Sequence, residues 1–254
     1  MSADAGRDDW NQHWDAYEAA ARLNPAQDFR ARLVRDALAL DRAAGPVRLL
    51  DIGSGQGDFA QKLLAAFPGA QYVGIELSRS GVEHSRRKVP SARFFEGDVQ
   101  RPLELPDEYR GWATHAVCAE VLEHLDDPAQ ALRHVLPWMA PGGRLIVTVP
   151  GGPMSAFDRH IGHRRHYTPA ALGALLADAG LDRVDVRGAG FPFFNVYRLA
   201  VIAQGDGLAE KAGQPGFDAR LGPRIAAKVF GGLFRMTTSR SRFGWQLVAQ
   251  ATRP

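Results

Sequence analysis

LLDIGSGQGDFA (residues 49–60) is the stretch that decides the fold. An apolar run that fits a strand, VRLLDIG (47–53), breaks into a loop holding Gly53, Gly55 and Gly57, and an amphipathic helical pattern runs from Asp58 to about Phe67. Strand, glycine loop and helix in that order open a βαβ unit. The glycines let the backbone turn tightly and let a ligand approach without Cβ atoms in the way. Amides at the following helix start favour an anionic group. The spacing is G-x-G-x-G, with Asp58 where a dinucleotide fingerprint needs its last glycine. Asp51, two residues before the first glycine, sets a negative charge where a pyrophosphate is repelled and a cationic centre is welcome. A nicotinamide cofactor is therefore disfavoured.

Outward from this loop, strand and helix signals alternate. QYVGIEL (71–77), ARFFEGD (92–98), HAVCAEV (115–121) and GRLIVTVP (143–150) read as strands, the last entered after Pro141-Gly142-Gly143. Helices fall between them, from about Ser80 and through 128–139. Thr168-Pro169 opens another helix ending at Gly180, and DRVDVRG (182–188) and GWQLVAQA (244–251) read as two final strands. Short apolar strands separated by helices imply a mostly parallel seven-stranded sheet with helices on both faces. Upstream, Trp10, Trp14 and Tyr17 recur at helical spacing, and Phe29, Leu33, Ala37 and Leu40 continue it after a break at Asn24-Pro25.

The expected organisation is a single domain over 1–254: a helical cap at 1–44, a Rossmann-like core at 45–188 and 244–254, and an insertion at 189–243. The length suits one large α/β domain. Hydrophobic residues at 45% and charged residues at 23% exclude a disordered or fibrous chain. The single cysteine, Cys118, excludes a disulfide framework and a cysteine zinc site, which suits a reducing cytosol. The N-terminus lacks the pattern of a signal peptide. The longest largely apolar run, Phe191 to Ala203, is too short to span a bilayer. The expected location is the cytoplasm.

Two more strand ends carry acids. Glu76 closes QYVGIE, where a carboxylate can accept both hydroxyls of a ribose, and Asp98 closes ARFFEGD, where it can accept from an adenine amino group. Asp51, three glycines, Glu76 and Asp98 on successive strand ends resemble the class I S-adenosylmethionine-dependent methyltransferases, over roughly residues 45–188 plus the closing strand. The resemblance implies a Rossmann-like methyltransferase fold and S-adenosylmethionine as cofactor, with S-adenosylhomocysteine as product. It implies that Asp51, Gly53, Ser54, Gly55 and Gly57 face the methionine part, Glu76 and Leu77 the ribose, and Asp98 and Val99 the adenine, with Glu120 lining the same pocket.

On the acceptor side, CAEVLEHLDDP (118–128) holds Glu120, Glu123 and His124 as E-x-x-E-H, a spacing that points three ligand-type side chains one way on a helical turn. DRHIGHRRHYTP adds His160, His163 and His166. Plain structural roles are available: Glu123 pairing with an arginine, His124 as a strut, and Arg164, Arg165 and Tyr167 bracing the helix at Thr168. Two chemical readings compete with these. In one, His124, His163 or His166 is a general base for an attacking hydroxyl or amine. In the other, Glu120, Glu123, His124 and His163, with His160 and His166 as substitutes, hold a divalent metal such as Mg²⁺ that acidifies an acceptor hydroxyl. The E-x-x-E-H element is similar to that of the ubiquinone-pathway O-methyltransferases and the small-RNA terminal 2′-O-methyltransferases, which implies the metal. Similar V-L-E-H turns occur in metal-free small-molecule methyltransferases.

The insertion is basic. Residues 189–254 carry a net charge of +6, against −3 for 1–188. At 100° per residue, Leu221, Ile225, Ala226, Val229, Phe230, Leu233, Phe234 and Met236 share one broad face of 219–236, opposite Arg220, Arg224, Lys228 and Arg235, with Gly231-Gly232 weakening the helix. With FPFFNVYRLAVI (191–202) this segment can lie on an anionic membrane, cover an apolar acceptor, form a homodimer interface, or pack on the domain's own core. The expected activity is methylation of a small molecule, first at a phenol, sugar or lipid-like hydroxyl and next at a small amine. A non-catalytic cofactor-binding partner subunit is the rival from another class. No N/D-P-P-Y element or other base-flipping signature is present, so a nucleic-acid substrate is not expected.

Overall fold

The computed structural model describes residues 24–204 and 221–254. Trp10, Trp14 and Tyr17, expected in the helical cap, lie outside the described residues. Seven strands form one sheet: β1 Arg48–Ile52, β2 Gln71–Glu76, β3 Arg93–Glu96, β4 Ala113–Ala119, β5 Met139–Pro150, β6 Asp182–Ala189 and β7 Gln246–Thr252. Their order is β3-β2-β1-β4-β5-β7-β6, with only β7 antiparallel to its neighbours. Consecutive strands run outward from β1 in both directions, so the crevice beyond its carboxyl end is the switch point where α/β sheets bind ligands.

The helices are α1 Pro25–Leu38, α2 Asp58–Ala66, α3 Arg79–Lys88, α4 Pro128–Val135, α5 Ala156–His160, α6 Pro169–Asp178, α7 Phe193–Gln204 and α8 Leu221–Leu233. Three of them start on one chemical signal. Asn24, Asp127 and Thr168 each accept a backbone N–H with the side chain, and a proline follows at the first helical position.

Side chains alternate across the sheet with the period of two that a strand imposes. Leu50, Ile52, Ala116, Cys118, Leu145 and Val147 point into one core, which α4 and α6 cover. Leu49, Tyr72, Val117, Ile146 and Val248 point into the other, closed by α1, α2, α3 and the aromatic residues of α7 and α8. Buried on both faces, the central strands are mostly apolar, with Asp51 on β1 and Thr148 on β5 among the buried polar exceptions.

Two expectations change. β5 begins at Met139 and runs through Pro141-Gly142-Gly143, because Gly142 at φ 75° carries the irregularity where pairing with β4 shifts register. The broad apolar face expected on 219–236 is divided: Phe230 and Phe234 turn into the second core, while Ile225, Val229 and Met236 face solvent. Gly231-Gly232 does not interrupt α8. No helix among the described residues is long and apolar enough to cross a membrane.

Candidate active site

The glycine loop lies over the carboxyl ends of β1 and β2. Gly53 and Ser54 both donate their amides to the Ile75 carbonyl, at 2.8 and 3.0 Å, which pins the loop to β2. Gly53, at φ 73°, leaves no room for a side chain, since a Cβ there would come within 2.4 Å of Val121 Cγ2. Gly57, at φ 79°, faces the backbone of Ser85 on α3. Both conformations are costly for any residue with a Cβ.

Asp51 is buried beneath this loop and takes a short hydrogen bond from the Tyr72 hydroxyl. Burial pushes its carboxyl up to about 7; Tyr72 opposes this, and the Glu76 charge adds to it. Glu76 accepts the amide of Gly55 on one oxygen and that of Ser78 on the other, each at 2.9 Å. Leu77 beside it is exposed. Asp98 accepts the Gln100 amide at 3.0 Å. Val99 sends its side chain into the core and its carbonyl to His134 Nδ1, at 3.0 Å.

The chain leaves β4 at Glu120 with φ 58°, a left-handed conformation rare outside glycine. This corrects the expected helical turn. Only Leu122–His124 form a single 3₁₀ turn, and Glu120 precedes it with its carboxylate turned elsewhere. Glu120 accepts from Gln246 Nε2 at 2.8 Å and pairs with Arg30 Nε at 2.9 Å. It does not join the carboxylates and imidazoles whose ligand atoms converge.

Those that converge are Glu123, His124 and His163, with one ligand atom of each within 4.8 Å of the others, and next to them Asp158, His163 and His166. The loop from Gly162 to Tyr167 brings them together. Arg164 donates its amide to the Glu123 carbonyl at 2.8 Å and pairs with Asp126. Arg165 caps the carbonyls of Leu125 and Asp126, and the Tyr167 hydroxyl reaches that of Leu122 at 3.0 Å. These residues brace the Leu122–Asp126 turn as much as the helix after Thr168. His160 ends α5 on the surface and is not among the converging groups.

Glu123 is wholly buried, and neither carboxylate oxygen has a hydrogen-bond partner among the described residues. Burial, and then the Glu120 charge, raise it well above the usual carboxylate range. The His124 and His163 rings meet edge to face at 4.7 Å. Burial, helped by His124 and opposed by Asp158, drives His163 down to about 2, so it is neutral. His166 Nδ1 lies 3.2 Å from the Gly152 carbonyl, which can only accept, so Nδ1 carries the proton. His166 Nε2 is then an acceptor for His163 Nδ1 at 3.2 Å, which leaves a lone pair on His163 Nε2, 4.0 Å from Glu123 Oε1.

Asp158, Arg198, Arg30 and Gln246 are site residues that the sequence reading passed over. Two of them had signals. Ser155 and Asp158 form a capping box, readable as S-x-x-D, and Arg198 is a lone cation inside an apolar run.

The methyltransferase-domain family matches residues 26–186. The chain belongs to that family. It is 30% identical over 207 residues to a ubiquinone biosynthesis O-methyltransferase of Xanthomonas euvesicatoria pv. vesicatoria, covering 75% of this chain and 84% of that one. A trans-aconitate 2-methyltransferase of Methylobacterium nodulans is 32% identical over 139 residues, covering 54% of this chain and only 50% of the relative. Among solved structures, a SAM-dependent methyltransferase from Thermotoga maritima superposes with a TM-score of 0.60 at 17% identity, covering 96% and 98% of the two chains. The fold is that of the class I enzymes, and this methyltransferase is S-adenosylmethionine-dependent.

Proposed function

We propose that this methyltransferase acts on oxygen of a small-molecule acceptor, a phenol, sugar or lipid-like hydroxyl, and that Glu123, His124 and His163 form its acceptor-activating centre. The observation that carries the reading is the buried Glu123 carboxylate, unsatisfied among the described residues and faced by two imidazoles. A buried carboxylate in that condition costs several kcal/mol, on the order of 3, unless a proton or cation relieves it. Similarity to a ubiquinone biosynthesis O-methyltransferase supports oxygen as the atom methylated.

S-Adenosylmethionine supplies an electrophilic methyl group when bound. Asp51, Glu76 and Asp98 are assigned to its methionine, ribose and adenine parts, with Leu77 and the main chain of Ser54 and Val99 lining the pocket. Gly53, Gly55 and Gly57, all at positive φ, turn the loop tightly beside that space, and a Cβ on Gly53 would strike Val121. Glu120, held by Arg30 and Gln246, is assigned to the lining of the cofactor pocket.

The donor set fits a divalent metal. One carboxylate and two imidazoles suit Mn²⁺, Fe²⁺ or Zn²⁺ better than Mg²⁺, which prefers oxygen ligands. Such an ion lowers the pKa of a bound hydroxyl. His163 presents its Nε2 lone pair because His166 holds its Nδ1 proton, and a neutral, weakly basic imidazole suits a metal ligand better than a base. His166 is thus a positioning residue acting through His163.

Calorimetry of S-adenosylmethionine binding, elemental analysis and turnover on phenol and amine panels test this together. The expected result is micromolar cofactor binding retained in Glu123→Gln, with metal content and phenol turnover both lost. Unchanged phenol turnover in Glu123→Gln, or turnover of amines alone, would sink the proposal.

A further inference from the structure

Among the described residues, eight large hydrophobic side chains are exposed, and seven of them lie between Phe191 and Phe243. They are Phe191, Val196, Leu199, Ile225, Val229, Met236 and Phe243, each 41–70% exposed. The eighth is Leu77, in the cofactor pocket. Scattered apolar surface is ordinary, but this concentration on two adjacent helices and their flanking turns is not.

The arrangement follows from how α7 and α8 pack. Phe194 and Tyr197 of α7 meet Phe230 and Phe234, with Tyr197 lying 5.2 Å from Phe230 and Phe194 lying 5.7 Å from Phe234. Those faces turn inward, so Val196 and Leu199 on α7, and Ile225 and Val229 on α8, turn outward. A basic row runs beside the α8 stripe: Arg224, Lys228 and Arg235 each immediately precede Ile225, Val229 and Met236 in sequence, and all three are exposed. Arg242 lies 4.6 Å over the exposed Phe243 ring. Residues 190–204 and 221–244 contain no Asp or Glu.

We infer that the outer face of α7 and α8 is a docking surface for an anionic lipid bilayer. An apolar stripe edged by cations matches the interface of such a membrane, where the side chains enter the acyl boundary and the cations meet the headgroups. A second copy of the chain fits less well, because a two-fold contact would bring the Arg224, Lys228 and Arg235 rows of both copies together with no acid on the described part of α7, α8 or their flanking turns to offset them. The inference does not rest on the acceptor proposed above. It adds that this surface is tied to the active site, since Arg198 on the inner face of α7 holds Asp158 in the histidine cluster.

Flotation of the full chain with phosphatidylcholine vesicles, with and without about one third phosphatidylglycerol, tests the inference. Binding is expected only to the anionic vesicles and is released by about 0.5 M NaCl. Lys228→Ala with Arg235→Ala reduces it about 30-fold, at roughly fivefold per cation. Ile225→Ser with Val229→Ser reduces it comparably. S-Adenosylmethionine affinity stays unchanged in both double variants, which shows that the fold is intact. Binding to neither vesicle, binding unaffected by both double variants, or a solution dimer dissociated by these substitutions would overturn the inference.

Discussion

Arg198 holds Asp158 with one nitrogen: its Nη2 donates to both carboxylate oxygens, at 2.9 and 2.7 Å, in a site where Asp158 is 1% exposed. One residue sits on α7, the other on α5 in the loop that carries His163 and His166. The ion pair therefore sets where the histidines stand relative to Glu123. Asp158 Oδ1 is 3.9 Å from His163 Nδ1, and Oδ2 is 3.7 Å from His166 Nε2.

Removing one member leaves a buried charge uncompensated. Arg198→Met is expected to cost about 3–5 kcal/mol in urea unfolding, and adding Asp158→Asn to recover part of that loss. A cost below about 1 kcal/mol for the single variant would show that the pair does not hold the loop.

The same pair makes a stability contribution that acid removes. Burial alone would raise Asp158, but the Arg198 guanidinium and the Ser155 donors outweigh it and hold it at about 2, below the ordinary 3.8. A folded value below the unfolded one stabilises above the unfolded pKa and is lost as pH falls through the folded one. Wild-type stability should decline between about pH 4 and pH 2, and Asp158→Asn should remove part of that slope. Parallel pH profiles of the two proteins would contradict this.

Asp51 titrates the other way. Its folded value of about 7 lies above the ordinary 3.8, so in ligand-free protein its contribution to stability falls as pH rises through that window. A cationic ligand needs the ionised form. Affinity for S-adenosylmethionine should therefore rise with pH and level off above about 7, with a limiting slope of roughly tenfold per unit below it. Asp51→Asn should bind weakly and without this slope; a wild-type affinity flat from pH 5.5 to 7.5 would refute the assignment.

Gly53→Ala should abolish cofactor binding and destabilise by about 2–4 kcal/mol, combining left-handed backbone strain with overpacking. Val121 is the side chain it would strike. Val121→Ala in that background should recover some stability, because it relieves the contact and leaves the strain.

Phe29 of α1, Phe194 of α7 and Phe234 form a ring cluster with centroids 5.1, 5.4 and 5.7 Å apart. Phe234→Ala should cost about 3–5 kcal/mol by thermal or urea unfolding. A smaller loss would mean that the segment after α8 is not integral to the second core.

Much of this protein follows from local sequence alone. Strand alternation, the Asn-Pro, Asp-Pro and Thr-Pro helix starts, and glycines at 53, 55 and 57 act over a few residues, so they are legible without the fold. The acids at 51, 76 and 98 were legible too, since strand ends place them at one edge of the sheet. The cluster of Glu123, His124 and His163 was only half legible. His163 and Glu123 carry recognisable chemistry, but their meeting depends on the clamp that Arg164, Arg165 and Tyr167 make on a turn some 40 residues earlier. Spacing assigned Glu120 to the same helical face as Glu123; the left-handed turn at 120, with Arg30 and Gln246 pulling on its carboxylate, sent it elsewhere. The α8 pattern likewise showed one wide apolar face, and only packing against α1 and α7 divided it into a buried half and an exposed half. Periodicity specifies which side chains share a face, whereas burial and partner choice are set by elements far away in the chain, and those only the tertiary structure decides.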